Sequence, residues 1–291
     1  MNRGLMMLKF EVDINPNLAG DLATRIMAIW PGIEIRPEDE VVAFCLNLDN
    51  HLDNNLRLFD QALQNLEKAR ALEPLTVRCQ NLVGPDSRPE SLRLGSFIVQ
   101  HPDMAAKTEP EKKILKLDSG TAFGSGAHPS TALVLNALEE YYRPLPGLPD
   151  RSNHRVLDVG TGSGILALAA ARLGHGPILA VDPSEEAIRI ARRNAELNNL
   201  ASRLELRHIP VNRLEGEFDV ILANLVPSVL LRAARKLDSL LALEGTLIVS
   251  GFADTQSPQV LKVMTKLGLV TRKSYSRAGW SALALIKTDQ G

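Results

Sequence analysis

Two acids and three glycines stand in a spacing that can hold a nucleoside. In RVLDVGTGSGILALAAARLGHGPILAVD, Arg155 to Asp182, Asp158 lies two residues before Gly160, and Gly162 and Gly164 follow at every second position. Asp182 ends the next apolar run. Glycine permits positive φ and lets backbone approach a ligand with no Cβ in the way. A dinucleotide fingerprint wants glycines at relative positions one, three and six, so that a helix start carries a pyrophosphate. Counted from Gly160, position six is Ile165, and that fingerprint fails. Asp158 would repel phosphate but could accept a hydrogen bond from, or neutralise, a cationic ligand. Asp182 is placed to take both hydroxyls of a ribose. A ligand with a ribose, a positive centre and no phosphate is S-adenosylmethionine, and the chemistry is then methyl transfer. A nicotinamide enzyme and a sheet that binds nothing stay open as alternatives.

Two further segments supply candidates. Asn224, in FDVILANLVPS, closes an apolar run and should face the same crevice. Its side chain offers an acceptor and a donor without charge, which suits the orienting of an amine. The competing role is a cap for a helix that starts at Pro227. In LDSGTAFGSGAHPSTALVL, Gly120, Gly124 and Gly126 make a Gly-rich loop, and Ser130 and Thr131 open the next helix. Such a loop, entering beside a ligand site, could fold over the ligand. His128 is a loop histidine and the candidate to test as a base.

The elements that must position these residues follow from periodicity. From Ile114 onward strands and helices alternate, which predicts an α/β, doubly wound, Rossmann-like sheet of mostly parallel strands. The last two strands, LVTRKSYSR and SALALIK, have only Ala278, Gly279 and Trp280 between them. That is too short for a crossover, so they should pair as an antiparallel hairpin at the sheet's edge. The first 84 residues read as strand, helix, strand, strand, helix, strand. Leu18, Leu22, Ile26 and Ile29 give one helix its apolar stripe, and Leu56, Phe59, Leu63, Leu66 and Ala69 the other, with Asp53 and Asn54 as caps. That order predicts a smaller N-terminal α+β, ferredoxin-like domain. The expected division is residues 1–84 for this domain, 85–113 for a linker holding one extended strand in LRLGSFIVQH, and 114–291 for the nucleotide-binding domain.

Composition excludes several classes. At 291 residues, 45% hydrophobic and 23% charged, the chain suits a two-domain globular protein. A net charge of −1 and a pI near 6.6 suggest no electrostatic grip on nucleic acid. Cys45 and Cys79 fit a reducing compartment and form no metal-ligand pattern. No signal-peptide pattern opens the sequence, and the near-continuous apolar run Ile165 to Leu173 is too short for a bilayer and contains Arg172. A cytoplasmic protein without a membrane or metal partner is expected. Residues 1–84 hold twelve acidic against eight basic side chains, a net −4 that would attract a basic protein, or else is a solvated acidic surface.

Taken together the motifs resemble those of the PrmA-type methyltransferases, which trimethylate the eleventh protein of the large ribosomal subunit. AFGSGAHPST, Ala122 to Thr131, is similar to that family's AFGTGTHPTT; Asp158 to Ala167 matches its D-x-G-x-G-S-G-I-L-A; Ala223, Asn224, Leu225 and Val226 match its A-N-I-L; and GWSALALIK resembles its closing hairpin. The tryptophan usual around the family's linker strand is missing from SLRLGSFIVQHPDM, and residues 143–154 lengthen the approach to the first cofactor strand. The resemblance covers roughly residues 90–291. It implies a class I methyltransferase sheet, S-adenosylmethionine as cofactor, and Thr131, Gly160, Gly162, Asp182 and Asn224 as its contacts. It implies further that a large-subunit ribosomal protein is the substrate and that residues 1–84 recognise it; a monomer is the expected state. Asn224 would aim the substrate nitrogen, with no dedicated base. A related methyltransferase acting on another protein's lysines or on a small molecule is the alternative. A binding module without turnover is another.

Overall fold

The structure is a computed structural model. It describes residues 7–30, 33, 35–38, 41–47, 52–70, 75, 77–82, 91–102, 113–118, 126, 128–143, 150–174 and 176–289. Gly120 and Gly124 of the Gly-rich loop lie outside the described residues, as do the side chains of Cys45, Cys79, Asp53, Asn54 and Leu56. The chain divides into two compact units, Met1–Ser87 and Arg88–Gly291.

The first unit contains β1 (Met7–Asp13), α1 (Pro16–Ile29), β2 (Ile35–Glu38), β3 (Val41–Asn47), α2 (Leu52–Arg70) and β4 (Val77–Leu82). Its four strands lie in the order β2-β3-β1-β4 with every neighbouring pair antiparallel, a split βαβ arrangement. The helix stripes supply the core: Leu22 and Ile26 of α1 and Phe59, Leu63 and Leu66 of α2 are buried against Phe10 and Phe44 of the sheet. Phe10 and Phe44 stack at 5.3 Å, and Phe59 meets Phe44 edge-on at 5.2 Å. Ala69, at the end of the expected stripe, is exposed.

The second unit opens with β5 (Leu92–Leu94), β6 (Phe97–Gln100) and β7 (Lys113–Lys116), a separate three-stranded sheet. The single extended element expected in LRLGSFIVQH is therefore two strands. The chain reverses at Gly95, whose φ is 60°, and at Ser96. This turn is held by α3 (Pro129–Tyr142): Glu139 Oε1 accepts from Ser96 N at 2.8 Å and from Ser96 Oγ at 2.7 Å. No local signal but one glycine marks the reversal, because its stabilising partner is 43 residues away.

The main sheet has seven strands. They are β8 (Val156–Val159), β9 (Ile178–Asp182), β10 (Leu204–His208), β11 (Phe218–Asn224), β12 (Leu241–Ala253), β13 (Leu269–Arg277) and β14 (Trp280–Lys287), in the order β10-β9-β8-β11-β12-β14-β13. β8 to β12 are mutually parallel, and β14 runs antiparallel to both β12 and β13, giving the expected hairpin at one edge. Successive residues alternate between two cores. Val156, Val220, Leu222 and Ile248 face α3 and α4 (Ile165–Leu173), whereas Leu157, Val159, Ile221 and Val249 face α6 (Pro227–Leu240) and α7 (Ser257–Lys266). The chain runs outward one way from β8 to β9 and β10, then returns to place β11 on the other side. Ligands in such sheets sit outside the strands' carboxyl ends at this switch.

Candidate functional site

The loop after β8 is fixed by backbone. Gly160 N and Thr161 N both donate to Val181 O, at 2.9 and 3.1 Å, and Gly164 N donates to Thr161 O at 2.9 Å. Gly160 has φ 69°, and a Cβ there would stand 2.5 Å from Leu225 Cδ2, so only glycine fits without displacing that side chain. Gly164, at φ 85°, ends the loop as the N-cap of α4 and offers no side chain to cap it.

That cap comes from β8 instead. Asp158 Oδ2 accepts from Ala167 N at 3.2 Å and from Thr161 Oγ1 at 2.6 Å. Ala167 is the third residue of α4, so its N–H is one of those a helix start leaves unpaired. Asp158 is fully buried and its Oδ1 has no partner among the described residues. Burial pushes its carboxyl up to about 7, with the Asp182 charge adding to the rise, against the Thr161 and Ala167 hydrogen bonds. Asp182 is handled differently. Its Oδ2 accepts from Gly162 N at 3.0 Å and its Oδ1 from Ser184 N at 2.9 Å, the latter an Asx-type turn into α5 (Glu185–Leu197).

Across the switch point, Asn224 ends β11. It does not cap α6: that N-cap is Val226, with no side-chain hydrogen bond. Asn224 Nδ2 lies 3.5 Å from Thr131 Oγ1, a long contact that brings together two predicted site residues 93 positions apart. Asn224 Oδ1 is buried without a partner among the described residues, and Thr131, in the first turn of α3, is 1% exposed. Leu225, the next residue, donates its N–H to Ser250 O at 3.1 Å, and Gly251 (φ 94°) lets the two backbones meet, since a Cβ there would be 2.2 Å from Leu225 O.

His128 is a cap rather than a free loop residue. Its Nδ1 accepts from Ser130 N at 3.3 Å at the start of α3, with Ser130 Oγ at 2.6 Å, and its ring meets Trp280 edge-on at 4.2 Å. Burial lowers it to about 4, so it is neutral near pH 7.

Sequence reasoning missed several participants: Thr161, Ser184, Trp280, and the buried pair Asn194 and Asn198 on α5. The asparagines carried a readable signal. They stand one turn apart on the face that also carries Ala187 and Ala191, where an uncharged polar side chain is buried only with partners. Among the described residues no cluster of His, Cys, Asp or Glu could hold a metal, and no helix is long and apolar enough to cross a membrane.

A doubly wound sheet with an antiparallel edge hairpin, a glycine turn after its central strand and an acid ending the next one define the class I methyltransferase fold. The same fold is seen in the crystal structure of ribosomal protein L11 methylase from Lactobacillus delbrueckii subsp. bulgaricus, at TM-score 0.61 and 29% identity over 69% of this chain and 100% of that one. Residues 89–288 match the family described as ribosomal protein L11 methyltransferase (PrmA), and the chain belongs to that family. The ribosomal protein L11 methyltransferase of Syntrophotalea carbinolica is 40% identical over 196 residues, 67% of this chain and 62% of that protein. That of Desulfitobacterium hafniense is 32% identical over 243 residues, 81% of this chain and 75% of that protein. The chain spans about three fifths of the length of several curated relatives, 62%, 55% and 63% for three of them.

Proposed function

We propose that this protein is an S-adenosylmethionine-dependent protein methyltransferase that acts on lysine or N-terminal amines of ribosomal protein L11. We infer also that it works in the cytoplasm as a monomer, without binding nucleic acid directly, and that residues 1–84 recognise the substrate. The observation that carries the reading is the meeting of Asp182, the glycine loop and the buried Oδ1 of Asn224, unpartnered among the described residues, at the carboxyl ends of β9, β8 and β11.

The residues fit such a cofactor. A carboxylate at the carboxyl end of β9, as Asp182 is, has the chemistry to accept from ribose hydroxyls. The glycine loop brings backbone to the carboxyl end of β8, and the missing Cβ at Gly160 makes room there for Leu225. No stretch of the loop has the glycine spacing of a pyrophosphate site, which favours a nucleoside without phosphate. When bound, the cofactor supplies a methyl group activated on a positively charged sulfur.

The rest falls to side chains. Asp182, Gly160 and Gly162 hold the nucleoside, and Thr131 fixes the orientation of the Asn224 amide. Asn224 Oδ1 accepts from the incoming nitrogen and aims it, which is how positioning contributes to rate. A lysine amine, with a pKa of ~10.4 in water, must shed a proton before it can attack. His128 is poorly suited to take it: its Nδ1 is engaged at the start of α3 and its basicity is depressed by burial. The proton therefore goes to solvent.

The test mixes purified protein with methyl-labelled cofactor and ribosomes that lack the modification. Label in L11 is the expected result. Label in a different protein supports the alternative substrate, and thermal stabilisation by a nicotinamide dinucleotide but not by S-adenosylmethionine overturns the reading.

A further inference from the structure

α5 and its C-cap bury two asparagines, Asn194 and Asn198, at 0% and 3% exposure. Asn198 Oδ1 accepts from Lys116 N at 2.9 Å, and its Nδ2 donates to Lys116 O at 2.7 Å and to Asn194 O at 2.8 Å. Asn194 Oδ1 accepts from Asp118 N at 2.9 Å, and its Nδ2 donates to Asp118 O at 3.1 Å and to Ser163 O at 2.8 Å. Each amide brackets one residue of the extended chain leaving β7, as a neighbouring strand would. The geometry allows it because four helical residues rise about 6 Å and two extended residues about 6.6 Å. Amides one turn apart on a helix therefore meet alternate residues of a strand.

Asn194 and Asn198 differ in their third bond. Asn198 returns to its own helix, whereas Asn194 reaches the glycine loop. Ser163, fully buried, sits between Gly162, whose N–H donates to Asp182, and Gly164, which lies against Ala191 of α5. Gly126 (φ 83°) lies against the first residue of α4, where a Cβ would stand 3.1 Å from Ile165 Cδ1. The chain on either side of residues 119–125 is thus keyed to residues 163 and 165.

We propose that Asn194 is a positioning residue for the nucleotide site. One amide sets the Ser163 carbonyl, and with it the Gly162 N–H that holds Asp182, against the backbone of Asp118. Loading of the glycine loop and the placement of the chain at Asp118 are then coupled. The inference rests on the reading that this loop takes S-adenosylmethionine.

Calorimetric titration of S-adenosylmethionine into the full chain, run beside thermal melts, compares Asn194→Ala with Asn198→Ala. Both should lose similar thermal stability, because each strands a backbone N–H and a carbonyl at the end of β7 or on the chain just beyond it. The dissociation constant should rise about tenfold for Asn194→Ala and stay within about twofold for Asn198→Ala. Equal constants for the two variants, with the wild type binding, overturn the coupling alone. A wild type that takes up no cofactor overturns the functional reading and the coupling with it. Should a variant fail to fold, amide exchange of the wild type decides: cofactor should slow exchange at Asp118 N–H more than at Lys116 N–H, and equal slowing or none overturns the proposal.

Discussion

The carboxylates of β8 and β9 are separated by one glycine loop, yet the fold gives them opposite environments. Asp182 receives a backbone N–H on each oxygen and keeps 9% of its surface exposed. Asp158 is sealed behind the loop, where one oxygen caps α4 and the other meets no partner among the described residues. Desolvation disfavours a buried charge, and two hydrogen bonds do not offset it. By its place two residues before a glycine turn, Asp158 reads as a ligand for a cation. In the structure its visible work is to close a helix start whose own N-cap is a glycine. Depth beneath the loop therefore separates the acid that caps α4 from the acid proposed to hold the ribose.

Four measurements test that contrast. The largest effect is expected from Asp158. A carboxyl raised from 3.8 to about 7 on folding stabilises the protein fully below pH 4, and that contribution is lost as pH rises through about 7. The loss is on the order of 4 kcal/mol, at about 1.4 kcal/mol for each pH unit between the unfolded and folded values. Asp158→Asn should flatten the difference in melting temperature between pH 4.5 and pH 8, and parallel profiles for wild type and variant would sink the assignment.

Next comes Asp182→Ala, which strands the N–H groups of Gly162 and Ser184 and removes the proposed ribose acceptor. Titration of S-adenosylmethionine should show affinity weakened by about a hundredfold, near 3 kcal/mol. An unchanged constant would mean that Asp182 does not hold the nucleoside. Asn224→Ala should lower kcat by about thirtyfold, roughly 2 kcal/mol, with little change in the KM for cofactor. Loss confined to cofactor KM would move Asn224 from aiming the amine to holding the nucleoside. The smallest effect belongs to His128→Asn, since asparagine can also cap α3. Stability should change by less than about 1 kcal/mol and turnover by less than about fivefold. Activity falling by about a hundredfold or more would restore His128 as a base.

Much of the architecture is legible in the residues alone. The order of strands and helices from Ile114 onward, the edge hairpin after Ala278, and the failure of the dinucleotide spacing at Ile165 depend on local pattern, and local pattern is what a sequence displays. The hairpin at Gly95 is not legible, because Glu139 stabilises it from a distant helix. The capping role of His128 is hidden for a different reason: the helix start at Ser130 is readable, but histidine is not among the side chains that ordinarily cap one.

Which residue types stand at the carboxyl ends of the strands is a property of the chain, written in the two-residue alternation of its strands and the spacing of its glycines. Packing settled the rest: which acid keeps an exposed edge, that Thr131 meets Asn224, and that Asn194 ties Asp118 to Ser163. Desolvation and hydrogen-bond pairing between segments tens of residues apart depend on how layers stack, and no local pattern encodes that.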